Sequence, residues 1–170
     1  HAGAAKAAIA GHSEWDLWLD EDSNTPIFLQ AKSTTRVAKR AVGVSGMAMV
    51  LDFVAANAGV FRLSQPRREL FLQRTNTDAQ GREHVALAQR YQGVPVWGSV
   101  LVGHISNDRG LFAVNGRYRP TPVQIESVVP ALAAPEAVDI VMEGHGTPIQ
   151  SLGNRAKQLL DYNGPRAELY

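Results

Sequence analysis

The chain contains no cysteine. That excludes disulfides, thiolate catalysis and cysteine zinc sites, although it fixes no compartment. No stretch approaches the roughly 18 uninterrupted apolar residues of a membrane-spanning helix. The formal charge is only +1, and no basic block of the kind that tracks a phosphate backbone is present, which argues against nucleic acid as a partner. Residues 1–11 are rich in alanine but carry a single cation, Lys6. No signal peptide is recognisable there, and the segment reads as the start of a processed chain.

The signatures of catalysis are missing as well. There is no His-Glu-x-x-His, and no two histidines stand four apart as a zinc helix requires. His12, His84, His104 and His145 therefore read as solvated or structural, and His145 would need distant ligands to hold a metal. His104 is expected to alternate with core residues along a strand, as a packing or edge residue. Asp20, Glu21 and Asp22 could supply a carboxylate pair for acid–base work, but a solvated acidic turn is the simpler reading. Ser45-Gly46 does not extend into a Gly-x-Ser-x-Gly elbow. Gly144-x-Gly146 lacks the third glycine and the preceding strand of a dinucleotide site.

What remains is the composition of a globular chain, 45% hydrophobic and 19% charged over 170 residues, enough for one ordinary domain or two small lobes. Trp15, Leu17 and Leu19 alternate with polar neighbours, and Ile27-Phe28-Leu29 follows a turn at Ser23-Asn24-Thr25-Pro26. These predict two short strands. Residues 33–43 read as a polar loop. Met47, Val50, Leu51 and Val54 form one apolar stripe, predicting a core-facing helix over 45–58 with Ser45 as N-cap and Gly59 as the stop. Four strands are expected next, over 69–75, 83–91, 96–105 and 111–118. Turns at Asp78–Gly81, Gln92-Gly93 and Ser106–Gly110 join them. Connections this short require antiparallel pairing.

Within this block Gly93, Pro95 and Gly98 shape the turn and strand entry, and Gly98 and Gly103 predict bulges or close backbone approach. Trp97, with Tyr91 nearby, reads either as a binding hot spot or as a cover over the sheet beside Gly98. Residues 119–133, with Pro120, Pro122 and Pro130, predict an extended connection. A second helix is expected from Pro135 to Glu143, stopped at Gly144, and then a loop over 144–153. Arg155–Leu160 predicts a helical turn and Ala167–Tyr170 a strand. The chain stops inside that last element, so it is expected to be a piece of something longer.

The central block resembles the fungalysin/thermolysin propeptide domain. Gln89, Tyr91, Gly93, Val94, Pro95, Val96, Trp97 and Gly98 match that family's pattern, followed by Asp108, Gly110, Val114 and Gly116. Upstream, Met49–Leu63 with Glu69-Leu70, and Asp78-x-x-Gly81-x-x-His84-Val85, are similar to the family's helix and its Asp-x-x-Gly-x-x-His-Val segment. Ala86-Leu87-Ala88 stands where many relatives show Arg-Phe-Gln or Arg-Tyr-Gln, so a cation the family often carries is absent. Val129 to Ala137 looks like the linker and first helix of a PepSY-type lobe.

The resemblance implies an α+β fold in three parts. Residues 1–44 form an N-terminal extension with short strands. Residues 45–120 form a propeptide domain whose antiparallel sheet packs on one main helix. Residues 125–170 form the start of an incomplete PepSY-like lobe. It also implies a non-enzymatic pro-region of a secreted or periplasmic zinc metalloendopeptidase precursor, acting as intramolecular chaperone and inhibitor. The partner would be the cognate catalytic domain. Zinc and calcium would belong to that domain alone, with no cofactor, metal site or catalytic residue in this segment. Gln89, Tyr91, Gly93, Val94, Pro95, Val96, Gly98 and Gly116 would be structural, and Tyr91 and Trp97 would contact the protease. The competing reading is a stand-alone binding module of the cell envelope with the same fold. A small hydrolase finds no supporting constellation.

Overall fold

The computed structural model describes residues 14–32, 41–144, 154–159, 161 and 165–170. His12, His145, most of the expected 33–43 loop and nearly all of the 144–153 loop lie outside the described residues. The chain divides into two units, with the boundary between Ile125 and Glu126.

In the first unit, β1 (Trp15–Leu19), β2 (Pro26–Ala31), β3 (Leu70–Thr77), β4 (Glu83–Tyr91), β5 (Val94–Ile105) and β6 (Leu111–Arg117) form one sheet. The order is β1-β2-β6-β5-β4-β3, and every pairing is antiparallel. β2 pairs with β6, so the two N-terminal strands extend the sheet that the later strands build. The expected α+β class, an antiparallel sheet packed on one main helix, is what the structure has.

The helix is α1 (Gly46–Ala56), whose N-cap Ser45 accepts a hydrogen bond from the Ala48 amide at 3.1 Å. Val50 and Val54 are fully buried and Leu51 nearly so, while Met47 packs partly buried against the core. Val85, Leu87, Leu101, Ile105 and Val114 meet them from the strands. Burying each such side chain stabilises the fold by roughly 1.5–3 kcal/mol before entropy is counted. An aromatic run closes one side of the core: Trp15 to Phe53 at 5.0 Å, Phe53 to Phe61 at 6.1 Å, and Phe61 to Tyr118 at 6.1 Å between ring centroids.

The expected stop at Gly59 is incorrect. α1 ends at Asn57, whose side-chain amide donates to the Phe53 carbonyl at 2.8 Å. A short helix α2 (Ala58–Phe61) then contains Gly59. It is closed by Arg62 in the left-handed region (φ 54°), with the Leu63 amide returning to the Ala58 carbonyl at 3.1 Å, which is a Schellman cap. One more turn, α3 (Pro66–Glu69), leads into β3, so the expected strand start at Glu69 moves to Leu70.

In the second unit α4 (Ala134–Gly144) carries no buried residue, and Ile140 and Val141 are exposed. α5 (Asn154–Leu159) follows. The strand expected over Ala167–Tyr170 is not there: those residues are neither helix nor strand. A strand exists only through a hydrogen-bonded neighbour, and none pairs with them among the described residues.

Candidate functional site

The motif residues gather around one irregularity. At Gln92-Gly93 both backbones take positive φ (49° and 89°), the requirement of a two-residue type I′ hairpin. Tyr91 then pairs with Val94, and Arg90 with Pro95. The next pair is Ala88 with Val100, so four residues, Val96–Ser99, stand opposite the single Gln89. β5 bulges outward there. Gly98 makes the bend with φ 67°, in the region where glycine carries no penalty. A Cβ on Gly98 would meet nothing within 4 Å. Of the two expectations for Gly98, a bulge or close backbone approach, the structure has the bulge, and backbone conformation is the reason for glycine. Close approach occurs instead at Gly103, where a Cβ would stand 2.2 Å from Val50 Cγ2, and at Gly116, where it would stand 2.1 Å from the Val100 carbonyl oxygen.

Gln89 fills the place the bulge vacates. It is 2% exposed. Its Nε2 donates to the Arg119 carbonyl at 2.8 Å, and its Oε1 accepts from the Arg119 amide at 3.0 Å. The side chain thus does what a neighbouring strand would do, and it anchors the segment after β6. Glu69 secures the same segment. It is buried, its carboxylate accepts from the Thr121 hydroxyl at 2.7 and 2.8 Å, and one oxygen also accepts from the Gln65 amide at 2.7 Å. The sequence marks Gln89 as a structural motif residue but not its partner, and it gives no sign of the Glu69 anchor, because a glutamine on an inner strand or a glutamate ending a short helix shows nothing of what it reaches.

Trp97 stands at the bulge, 75% exposed. It lines an open cleft of about 300 Å³ with Asp20, Ser23, Thr25, Arg117 and Arg119. Tyr91 lines a different cleft of about 510 Å³, with Gln65, Arg68, Glu69, Gly93 and Thr121. The two aromatic candidates are thus not brought into one pocket. Val94 and Val96 are partly buried and Pro95 is exposed at the entry to the bulge. Asp20 caps the β1–β2 turn: its carboxylate accepts from the Ser23 amide (2.8 Å) and hydroxyl (2.9 Å) and from the Asp22 amide (3.2 Å). Those hydrogen bonds, the Ser23 amide foremost, hold its carboxyl below the usual range.

The histidines expected to be merely structural form a chain across the sheet face opposite α1. His84 Nδ1 lies 2.7 Å from His104 Nδ1. His84 Nε2 lies 3.1 Å from Asp78 Oδ2, and His104 Nε2 lies 2.5 Å from Asn115 Oδ1. No group of three or more His, Cys, Asp or Glu able to hold a metal ion occurs among the described residues. No helix among them is long and apolar enough to cross a membrane.

Comparison with known proteins places this geometry. Residues 69–118, from the end of α3 through β6 to Tyr118, match the family model described as Fungalysin/Thermolysin Propeptide Motif. Bacillolysin of Bacillus cereus is 30% identical over 104 residues, covering 59% of this chain and 18% of the relative. Bacillolysin of Bacillus subtilis (strain 168) is 24% identical over 146 residues, covering 83% of this chain and 27% of the relative. The chain thus spans little more than a quarter of these relatives at most. No solved structure gives a significant match. Residues 69–118, the strands that carry the bulge and its glycines, thus resemble a protease propeptide motif, which is not itself a catalytic one.

Proposed function

We propose that this chain is the pro-region of a secreted, thermolysin-like zinc metalloendopeptidase, and that it assists folding of the catalytic domain and then inhibits it. The observation that carries the reading is the motif match over β3–β6, joined to relatives of which it covers only a minor part. Zinc and calcium belong, in this reading, to the catalytic domain. The physics suits a folded, non-catalytic scaffold. Large proteins with long-range contacts fall into kinetic traps while folding. A partner that binds only the native-like surface shifts the equilibrium toward it. Covalent linkage keeps that partner at an effective concentration near millimolar.

The contact residues in this reading are Trp97 at the bulge and Tyr91 at the neighbouring hairpin. An exposed tryptophan on a rigid sheet is the kind of side chain that anchors an interface. The domain division we propose is an N-terminal extension over 1–44, the propeptide domain over 45–120, and a PepSY-like lobe from 125 onward. The exposed apolar face of α4, with Ile140 and Val141, supports a lobe whose sheet would cover it. The alternative of a stand-alone envelope module has no observation in its favour.

The test adds the isolated chain, and a version extended by about 30 residues, to the mature cognate protease. Peptide hydrolysis should slow at micromolar concentrations, and refolding yield of the denatured catalytic domain should rise. If the extended chain changes neither quantity, the reading is wrong.

A further inference from the structure

The hydrogen-bond chain Asp78–His84–His104–Asn115 is built around a contact that can hold only one proton. His84 and His104 are directly paired residues on β4 and β5, and their Nδ1 atoms face each other at 2.7 Å. A ring nitrogen donates when protonated and accepts when bare, so this contact needs one of each. At the outer ends, His84 Nε2 donates to Asp78 and His104 Nε2 donates to Asn115 Oδ1. That arrangement fits a pair carrying one extra proton. Rotating the Asn115 amide by half a turn presents its NH₂ to His104 Nε2 and fits the neutral pair equally well. Neither arrangement fits two imidazolium ions, which would aim two N–H groups at each other.

The surrounding charges do not rescue the doubly charged state. Among the described residues, Asp78 is the one carboxylate bonded to the pair. Hydrogen bonds from the Arg82 amide, from His84 and from the Gln80 amide hold its carboxyl below the usual range. It offsets one imidazolium. From the same turn Arg82 lies over the Phe112 ring of β6 at 5.7 Å, and that ring is 6.0 Å from His104. β3 places Asn76 opposite His84 and Arg74 opposite Ala86. β2 supplies uncharged Phe28 and Gln30 to this side of β6. Further across, Asp16 of β1 pairs with Lys32 at 4.0 Å. In the β5–β6 loop Asp108 accepts from Ser106, and Arg109 donates to the Ala41 carbonyl. Of these groups only Asp78 is bonded to an imidazole, so a second imidazolium would have no counter-charge bonded to it, and like charges directly opposite across a strand pair destabilise it.

We propose that this chain is an acid-sensitive latch joining β4, β5 and β6, closed while His84 and His104 share at most one extra proton and opened when both are charged. The sign follows from proton counting: the unfolded chain accepts both protons freely and the closed latch does not. Stability is therefore greatest while the pair holds at most one extra proton and is lost on further acidification. The latch is a property of the propeptide sheet itself and does not depend on a bound protease.

The experiment uses the isolated chain. Histidine ring resonances are followed by NMR from about pH 8 to pH 4.5, and urea unfolding is measured at about pH 7.5 and pH 5. On acidification the unfolding constant of the native sequence should rise about tenfold more than that of His104→Gln, the size of one lost partly buried hydrogen bond. Asn115→Asp adds a second carboxylate at His104 and should move the acid loss to lower pH. Hydrogen exchange at the β4–β5 amides should accelerate over the same interval. Equal acid sensitivity of the native sequence and His104→Gln would overturn the latch. Should His104→Gln not fold, an acid midpoint unmoved in Asn115→Asp overturns it equally.

Discussion

The side-chain amide of Gln89 pairs with the backbone of Arg119 as a strand would, donating at 2.8 Å and accepting at 3.0 Å. This pairing explains why a buried glutamine faces a bulge in which four residues of β5 oppose it. Gln89→Leu keeps the volume and removes both bonds, stranding the Arg119 groups. We expect a loss of about 2 kcal/mol in urea unfolding. Gln89→Glu keeps the acceptor but loses the donor and buries a carboxylate, and should cost at least as much. Unchanged midpoints in both variants would remove the anchor.

The glycines should separate by mechanism. Gly116→Ala drives a methyl into the Val100 carbonyl and the Leu101 Cα, backbone that cannot turn aside, and should cost about 3 kcal/mol. Gly98→Ala meets open space and bears only the cost of positive φ, about 1 kcal/mol. Gly103→Ala presses on Val50. Its cost should fall when Val50→Ala opens the space, a coupling that a double-mutant cycle reads directly.

Tyr118 is 4% exposed, and its hydroxyl has no hydrogen-bond partner among the described residues. Tyr118→Phe should therefore be neutral or stabilising. Burial pushes the phenol well above its ordinary range. The unfolded chain loses that proton near pH 10 while the folded chain keeps it, so stability should fall as pH rises past about 10. Urea midpoints at about pH 9 and pH 11 should show a smaller alkaline loss in Tyr118→Phe than in the native sequence.

Trp97→Ala isolates binding from folding. The side chain is 75% exposed, so its removal should change stability by less than about 0.5 kcal/mol. In the proposed inhibitor role it should weaken inhibition by at least tenfold, as loss of an aromatic anchor does. Tyr91→Ala, at the other cleft, is the comparison. If neither variant changes inhibition, the protease docks elsewhere.

Much of this was legible in advance because it is local. The stripe Val50, Leu51 and Val54 specifies a core helix and Ser45 its start, and Gln92-Gly93 specifies the β4–β5 hairpin turn, all from neighbours within a few positions. Glu83–Tyr91, with Val85, Leu87 and Gln89 buried on one face, is the strand expected. What was hidden depends on register. Continued straight from the Tyr91–Val94 pair, the strands would set His84 opposite Leu101; the three extra residues of the bulge set it opposite His104 instead. No composition or periodicity announces that shift, so the histidine chain could not be foreseen. The stop at Gly59 failed for a similar reason, since Asn57 ends the helix through its own side chain and leaves the glycine free to begin another turn.

An odd number of added residues has a further effect. It changes which side of the sheet the rest of β5 presents, and so Leu101 and Ile105 point toward α1 while His104 points away from it. The spacing between Pro95 and Val100 therefore acts as a parity setting. Shortening it by one residue would turn the strand inside out, exposing its oily half and burying an imidazole. Shortening it by two would merely slide the strand and keep its faces.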